Sequence, residues 1–463
     1  MIPCALVTAT LSLLLVGQVN AQVELIAKGT LTSSWAGSYT DLSGLTGSLE
    51  NGVQANLLGG LGSGLAHVSG DTFLALPDRG PNAVSFDSLI DDTVSYIPRF
   101  HKIKMNLARN SDSKGLPYTI EPKLEETTLL NSLTPLVYGN GDGLGVGTGK
   151  LPQNNFFVHY FSGRSDNYNP DRNSGDPNDA RLDPESIRMS PDGLTVFISD
   201  EYGPYIHQFL RFNGLRLRTY TLPSKFYVRN ARSTGSGEIA NNTIGRTPNK
   251  GMEGLALTPN GRTLVGIMQN ALLQDAAEGG DAANLLRIVT IDVASGRTMH
   301  EYAYLLTTGS GVSEIVALND HEFMVDERDG KGLGDGSKAK VKQIFKIDLA
   351  GAVDVSNLNG TQAATRAVGK SLFLDLVDVL KADGVGADQI PAKIEGLAFG
   401  ADVLVRAQGS TPGMTMHTLW VANDNDFLQD YSGPNTNPNQ FFVFGFTDAD
   451  LNGSKFVATP GWF

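Results

Sequence analysis

The chain has 463 residues, a formal net charge of −13, 53 glycines and a single cysteine. Phosphate neutralisation needs clustered lysine and arginine, which this sequence lacks, so the charge excludes a nucleic-acid surface and leaves a chain suited to attracting cations. The length would ordinarily mean two to four domains, but a closed array of repeats reaches this size as one.

Residues 1–21 read as a secretory signal. Ala5 to Gly17 is a mostly apolar run too short to span a bilayer, and Val19-Asn20-Ala21 offers small residues for cleavage after Ala21. No lysine or arginine precedes the run, so an N-terminal membrane anchor is the alternative. Cys4 lies inside the segment, and a mature chain of residues 22–463 would hold no disulfide. It is expected to be secreted or periplasmic, a monomer forming a single propeller domain.

After the signal, Val23 to Leu31 reads as a strand placed to seal a ring by pairing with the last repeat. A hairpin pattern then recurs. Its fullest copy is Asp183 to Tyr205: an alternating strand with Ile187 and Met189, a Pro191-Asp192-Gly193 turn, and Val196 to Ile198 running into Asp200-Glu201. Variants begin at Gly62-Ser63-Gly64-Leu65, Met252-Glu253-Gly254-Leu255, Ser313-Glu314-Ile315 and Ile394-Glu395-Gly396-Leu397. Their second strands end in Asp78-Arg79, Gln269, Asp326-Glu327-Arg328 and Asn423-Asp424-Asn425-Asp426.

The glutamates recur about every 60 to 80 residues, too far apart for helical-pair repeats and right for four-stranded blades with insertions. Glu253 to Leu306 contains one complete unit of four strands. The fold expected is an all-β propeller of six blades, with five or seven as alternatives and a β-sandwich as the competing architecture. Asn131 to Arg181 breaks the pattern and reads as a degenerate blade with a long loop. Its glycine-rich run, Gly139 to Gly149, lacks the Gly-Lys-Ser/Thr ending of a phosphate cradle. Its Asp171 to Asp176 stretch resembles a calcium loop without the bidentate glutamate, and so reads as solvated.

In a propeller the innermost strands line a central channel, so a residue recurring at their start forms a ring. Glu185, Glu253, Glu314 and Glu395 are expected to meet there, where repulsion and desolvation call for protons, basic partners or a cation such as calcium. A second acidic rank (Asp78, Asp200, Glu201, Asp326, Glu327, Asp424 and Asp426, with Gln269) would face the same end. Arg79, Lys250 and Arg328 accompany these acids and could orient an anionic group or serve as internal ion-pair partners. There is no Gly-x-Ser-x-Gly elbow and no His-Glu-x-x-His, and the seven histidines are scattered.

These residues carry a resemblance. Leu182-Asp183-Pro184-Glu185-Ser186-Ile187, Asp200 to Pro204, Asn249-Lys250-Gly251-Met252-Glu253-Gly254-Leu255-Ala256, Asp326-Glu327-Arg328, Ile394 to Ala398 and Asn423 to Phe427 together resemble the phytase-like family, described as having esterase-like activity of phytase. The resemblance spans about Gly59 to Phe446 and implies an extracytoplasmic β-propeller with ester or phosphoester hydrolase activity. The Asp-Asp-Pro-Ala-Ile-Trp type motif of the calcium-dependent propeller phytases is missing, which puts phytate itself in doubt as the substrate.

The function expected is hydrolysis of a small anionic ester. The glutamate ring (Glu185, Glu253, Glu314, Glu395) would hold calcium, Glu201, Glu253 and Glu327 would act on the ester, and Arg79, Lys250 and Arg328 would bind it. Neither nucleic acid nor, after cleavage, a membrane is an expected partner. A non-catalytic binding propeller and a lactonase-like metal-dependent hydrolase are the alternatives.

Overall fold

A computed structural model describes residues 23–82, 87–91, 93–112, 114–138, 155–405, 414–428 and 436–459. The expected signal segment and the Gly139 to Gly149 run lie outside the described residues.

Among the described residues five antiparallel sheets form the blades, four of them four-stranded and the fifth with a short extra strand, Val403–Val405, beside its four. Blade 1 is built from Gly64–Ser69, Thr72–Leu76, Arg99–Lys104 and Lys123–Leu129. Blade 2 takes Pro184–Met189, Thr195–Asp200, Tyr205–Leu210 and Arg216–Thr221. Blade 3 takes Met252–Leu257, Thr263–Met268, Leu285–Asp292 and Thr298–Leu305. Blade 4 takes Gly311–Ala317, Glu322–Arg328, Lys342–Asp348 and Lys370–Asp375. Blade 5 takes Lys393–Phe399, Met414–Asp424 and Asn439–Phe446. Its outermost strand is Glu24–Leu31, which pairs antiparallel with Asn439–Phe446 and joins the two ends of the ring.

The propeller thus has five blades, not six. Between Asn131 and Arg181 the described residues add a two-residue pairing, Asn131–Ser132 with His159–Tyr160, and single bridges from Val137 to Asp179 and from Ser162 to Arg181, and no blade. The segment instead sends Leu136, Phe161 and Ala180 into the core between blades 1 and 2.

Apolar residues alternate along these strands, and each sheet has two faces to bury. Stacking around the axis buries both. The result is one hydrophobic cluster per blade junction: Phe100 with Phe209 between blades 1 and 2, and Tyr220 with Val289 between blades 2 and 3. Ile288 meets Phe323 between blades 3 and 4, Ile344 meets Phe442 between blades 4 and 5, and Phe73 stacks on Trp420 where blade 5 returns to blade 1. Closure therefore buries the two end faces that an open stack of blades would expose.

Candidate functional site

In blades 2 to 5 the innermost strand slips register near its start, between Pro184 and Ile187, Met252 and Gly254, Val312 and Glu314, and Ile394 and Gly396. Such bulges re-aim a side chain at the end of a strand. They release Glu185, Glu253 and Glu395 from the ladder. In blade 4 the residue released is Ser313, and Glu314 occupies the place taken by Gly254 and Gly396 in the neighbouring blades. Blade 1 has Ser63 followed by Gly64 in the same two places.

The four-glutamate ring is therefore corrected to three. Around the mouth the five places read Ser63, Glu185, Glu253, Ser313 and Glu395, and Glu314 lies deeper. The place it fills is cramped: a Cβ on Gly254 would come within 2.8 Å of the Ile315 nitrogen. Glu314 extends from there into the channel, where it accepts hydrogen bonds from Ser186 Oγ and the amides of Leu255 and Ile315 and pairs with Arg188. Its carboxylate is fully employed in holding blades together.

At the mouth the structure brings together Asp183, Glu185 and Glu201, all buried, with one oxygen from each lying within 4.8 Å of the others. Among the described residues this is the one such carboxylate cluster with the spacing to hold a cation. Asp183, missing from the sequence-based ligand set, had a readable signal. Residues two apart on a strand share a face, so Asp183 accompanies Glu185 as Lys393 accompanies Glu395. Arg79 closes one side, with Nη1 2.5 Å from Asp183 Oδ2 and a further bond to Asn249. Close backbone packing fixes this corner. A Cβ on Gly163 would overlap the Arg79 carbonyl, and one on Gly251 the Glu201 carbonyl, while the Gly251 amide donates to Glu201 Oε1 at 3.0 Å.

Glu253 stands beside Glu201, carboxyl to carboxyl. Its Oε1 accepts from Gln269, while its Oε2 and Gln269 Oε1 are buried with no partner. Arg328 donates from Nε to Ser313 Oγ at 2.6 Å and pairs with Glu395, with Glu253 Oε1 4.0 Å away. Lys393, a cation that the sequence reading passed over, binds Asp424 at 2.9 Å and also Asp426. Lys250 is half-buried within electrostatic reach of Glu201.

Acids outnumber bases here, and the charges show it. Burial first, then Glu201 and Glu395, push the Glu253 carboxyl well above the usual carboxylate range. Burial and Glu253 do the same to Glu185, and burial with Asp424 to Asp78. Glu395 is raised to about 7 by burial, against the pull of Arg328. Burial acts on Asp424 too, but Lys393 holds it below the usual range. Neutral carboxyls and paired cations are what an acidic pocket without further charge must adopt. Three convergent carboxylates, with the unpartnered oxygens of Glu253 and Gln269 beside them, also fit the oxygen-only coordination of a hard divalent cation such as calcium.

Three second-rank residues serve other ends. Glu327 was expected to act on substrate, but its side chain is occupied elsewhere. It accepts from the Tyr304 hydroxyl at 2.5 Å and from the Thr308 amide and hydroxyl at 2.9 and 2.8 Å, and it pairs with Lys370. Asp200 folds its own turn by accepting from the amides of Asp183, Tyr202 and Gly203. Asp326 faces Glu314 across the ladder, buried and without a partner, and burial raises its carboxyl well above the usual range. In the aspartate-rich loop, Asp166 pairs with Arg164 at 2.8 Å and Asp179 accepts from the Asn169 amide.

Comparison with known proteins bears on this arrangement. Over 143 residues the chain is 33% identical to a protein of Arthroderma benhamiae described as an uncharacterized secreted protein. The match spans 27% of each of the two proteins, well under two thirds of the relative's length. A luciferin-regenerating enzyme superposes with a TM-score of 0.34 at 11% identity, covering 88% of this chain and 97% of the other. The PQQ-bound aldose sugar dehydrogenase of Streptomyces coelicolor superposes with a TM-score of 0.33 at 11% identity, covering 91% and 98%. Residues 56–427, which hold the carboxylate mouth and all but the outer edge of the ring, match the family model for the phytase-like domain, esterase-like activity of phytase, and the chain belongs to that family.

Proposed function

We propose that the protein is a secreted or periplasmic hydrolase that cleaves a small anionic ester, carboxylic or phosphoric, at the channel mouth. The observation that carries this reading is the buried Asp183, Glu185 and Glu201 cluster set against Glu253 and flanked by Arg79, Lys250 and Arg328. Asp183, Glu185 and Glu201 would hold calcium. When bound, such an ion polarises an ester oxygen and lowers the pKa of water.

The protein's own groups divide the remaining work. Glu253 is the proton-moving residue. Its carboxyl is raised by burial and by Glu201, so it would give its proton to the departing oxygen and, once ionised, take one back at Oε2 from the attacking water. Glu201 faces it and sets that balance. Lys250 and Arg328 orient the anionic ester, and Arg79 steadies Asp183. Glu327 has no part in this scheme. The chain would act as a monomer, and its first residues would direct it out of the cytoplasm. Among the described residues no helix is long and apolar enough to cross a membrane.

The test is hydrolysis of a chromogenic phosphomonoester and a chromogenic carboxylic ester by the mature protein, with calcium and after chelation. Calcium-dependent release from either supports the reading and selects the ester class. Release from neither would place the mouth among binding sites.

A further inference from the structure

Beside the acidic mouth lies a cavity of opposite character. It has a volume of about 190 Å³ and is lined by Arg79, Arg181, Arg232 and Arg246, with only Glu238 and Asp91 as carboxylates. In a chain of net charge −13, four guanidiniums against the two lining acids and Asp183, which pairs with Arg79, still leave a local excess of positive charge. Glu238 is already committed, to Arg246 at 2.6 Å and Arg181 at 3.6 Å.

Arg181 is only 1% exposed and is held between the rings of Tyr168 and Tyr202, its guanidinium carbon 4.8 and 5.0 Å from their centroids. One of its donors, Nη2, has no acceptor, and neither does Nε of Arg79. Buried donors left without acceptors are costly, and a fixed guanidinium fork is the group that recognises oxyanions. Arg79 belongs to both places, lining this cavity while its Nη1 binds Asp183 of the carboxylate cluster.

We propose that this cavity is an oxyanion site for a tetrahedral group, phosphate or sulfate. With Asp183 counted against Arg79 one positive charge is left unspent, and the two donors without acceptors come from different arginines, so an anion that presents several oxygens in different directions fits better than a carboxylate. On the hydrolase reading of the mouth, on which this last step rests, the substrate carries a second anionic group about one guanidinium away from the ester that is cleaved. Binding itself does not depend on that reading.

The experiment is calorimetric titration of the mature protein with inorganic phosphate, sulfate and acetate, at fixed ionic strength and with a chelator present throughout. Arg232 is exposed, its side chain donates only to the adjacent Ala231 carbonyl, and its bond to Glu238 is made by the backbone amide, so Arg232→Glu leaves the fold intact. Arg297→Glu, at the exposed outer turn of blade 3, makes the same charge change elsewhere. Saturable binding of phosphate or sulfate, weakened about tenfold or more by Arg232→Glu and little by Arg297→Glu, is expected, and a preference between the two anions would identify the group. No saturable binding, equal loss in both variants, or acetate binding as tightly as the dianions would overturn the proposal. A protein that binds phosphate here yet hydrolyses neither chromogenic ester would refute the hydrolase reading alone.

Discussion

Arg188 of blade 2 and Glu314 of blade 4 meet across the channel, Nη2 to Oε2 2.8 Å, although their blades are not neighbours in the ring. Arg188 also donates to the carbonyls of Leu65 and Ile315, and Glu314 accepts from Ser186 and Leu255, so the pair links the inner strands of four blades at the axis. Removing one partner of a buried ion pair strands the other charge, which typically costs about 3–5 kcal/mol. Glu314→Gln should therefore lower the urea midpoint by a stability loss of that order. Its calcium affinity should stay at the wild-type level, because Glu314 stands apart from the carboxylate cluster. Loss of calcium binding in a folded Glu314→Gln protein would restore the four-glutamate ring.

Glu327 poses the same question at the second rank. Its oxygens take up Tyr304, Thr308 and Lys370, so Glu327→Gln removes the charge that Lys370 pairs with and unsettles the loop after blade 3. A stability loss of a few kcal/mol is expected. Turnover per folded molecule, compared at a temperature where both proteins are native, should be unchanged, and a specific fall in kcat would return Glu327 to the reaction.

These two residues show where the sequence could be read and where it could not. The hairpin pattern, the sealing strand Glu24–Leu31 and the four strands of blade 3 follow from period-two alternation and turn chemistry, both local properties. Blade number was not local. The Asn131 to Arg181 segment has the length of a blade and an apolar stretch, but that stretch leaves Phe156 and Phe157 exposed, and only Leu136, Phe161 and Ala180 join the core against existing blades. Glu314 was misplaced because Ser313-Glu314 looks like Glu253-Gly254 shifted by one, and a bulge decides which of two adjacent residues leaves the ladder. Glu327 was misplaced for a related reason. Its neighbour Arg328 faces the mouth, so successive side chains must point to opposite sides. The arginine cavity draws on residues from 79 to 249, far apart in sequence and brought together only by the packing of the segments around blades 1 and 2.

Within the mouth, the proposed division of labour separates two kinds of variant. Glu185→Gln removes a ligand oxygen from the cation cluster and should weaken calcium binding measured directly. Glu253→Gln leaves Asp183, Glu185 and Glu201 in place and removes the proton-moving group. It should keep calcium binding while lowering kcat by about 10²- to 10⁴-fold, the usual contribution of general acid–base catalysis. Equal loss of calcium in both variants would make Glu253 a ligand and would require another proton carrier.

Blades 1 and 2 share a feature that predicts how stability responds to acid. His101 and His207 occupy the third strand of their blades, and each ring Nδ1 is bonded to a threonine on the fourth strand, Thr127 at 2.9 Å and Thr219 at 2.8 Å, while Nε2 is buried without a partner. Burial pushes His101 down to about 4, with Asp41 opposing and Arg99 assisting, and pushes His207 well below its ordinary value, with Arg216 assisting. In the unfolded chain both titrate near pH 6.5. Between that pH and the folded pKa the unfolded state binds the extra proton, so the stabilisation is complete above about pH 6.5 and is lost as the pH falls toward 4. For His101 the loss is about 2 kcal/mol by pH 5. Buried carboxyls raised to about 7, such as Glu314 and Glu395, act in the opposite sense and lose stability as the pH rises, so the wild-type curve alone mixes the two effects. The difference between wild type and His101→Asn, which can keep the bond to Thr127, separates them. Urea midpoints taken from pH 7.5 down to pH 5 should show the wild type losing stability relative to the variant by about that amount. A constant difference across the range would mean that His101 titrates in the folded protein as it does in the unfolded chain.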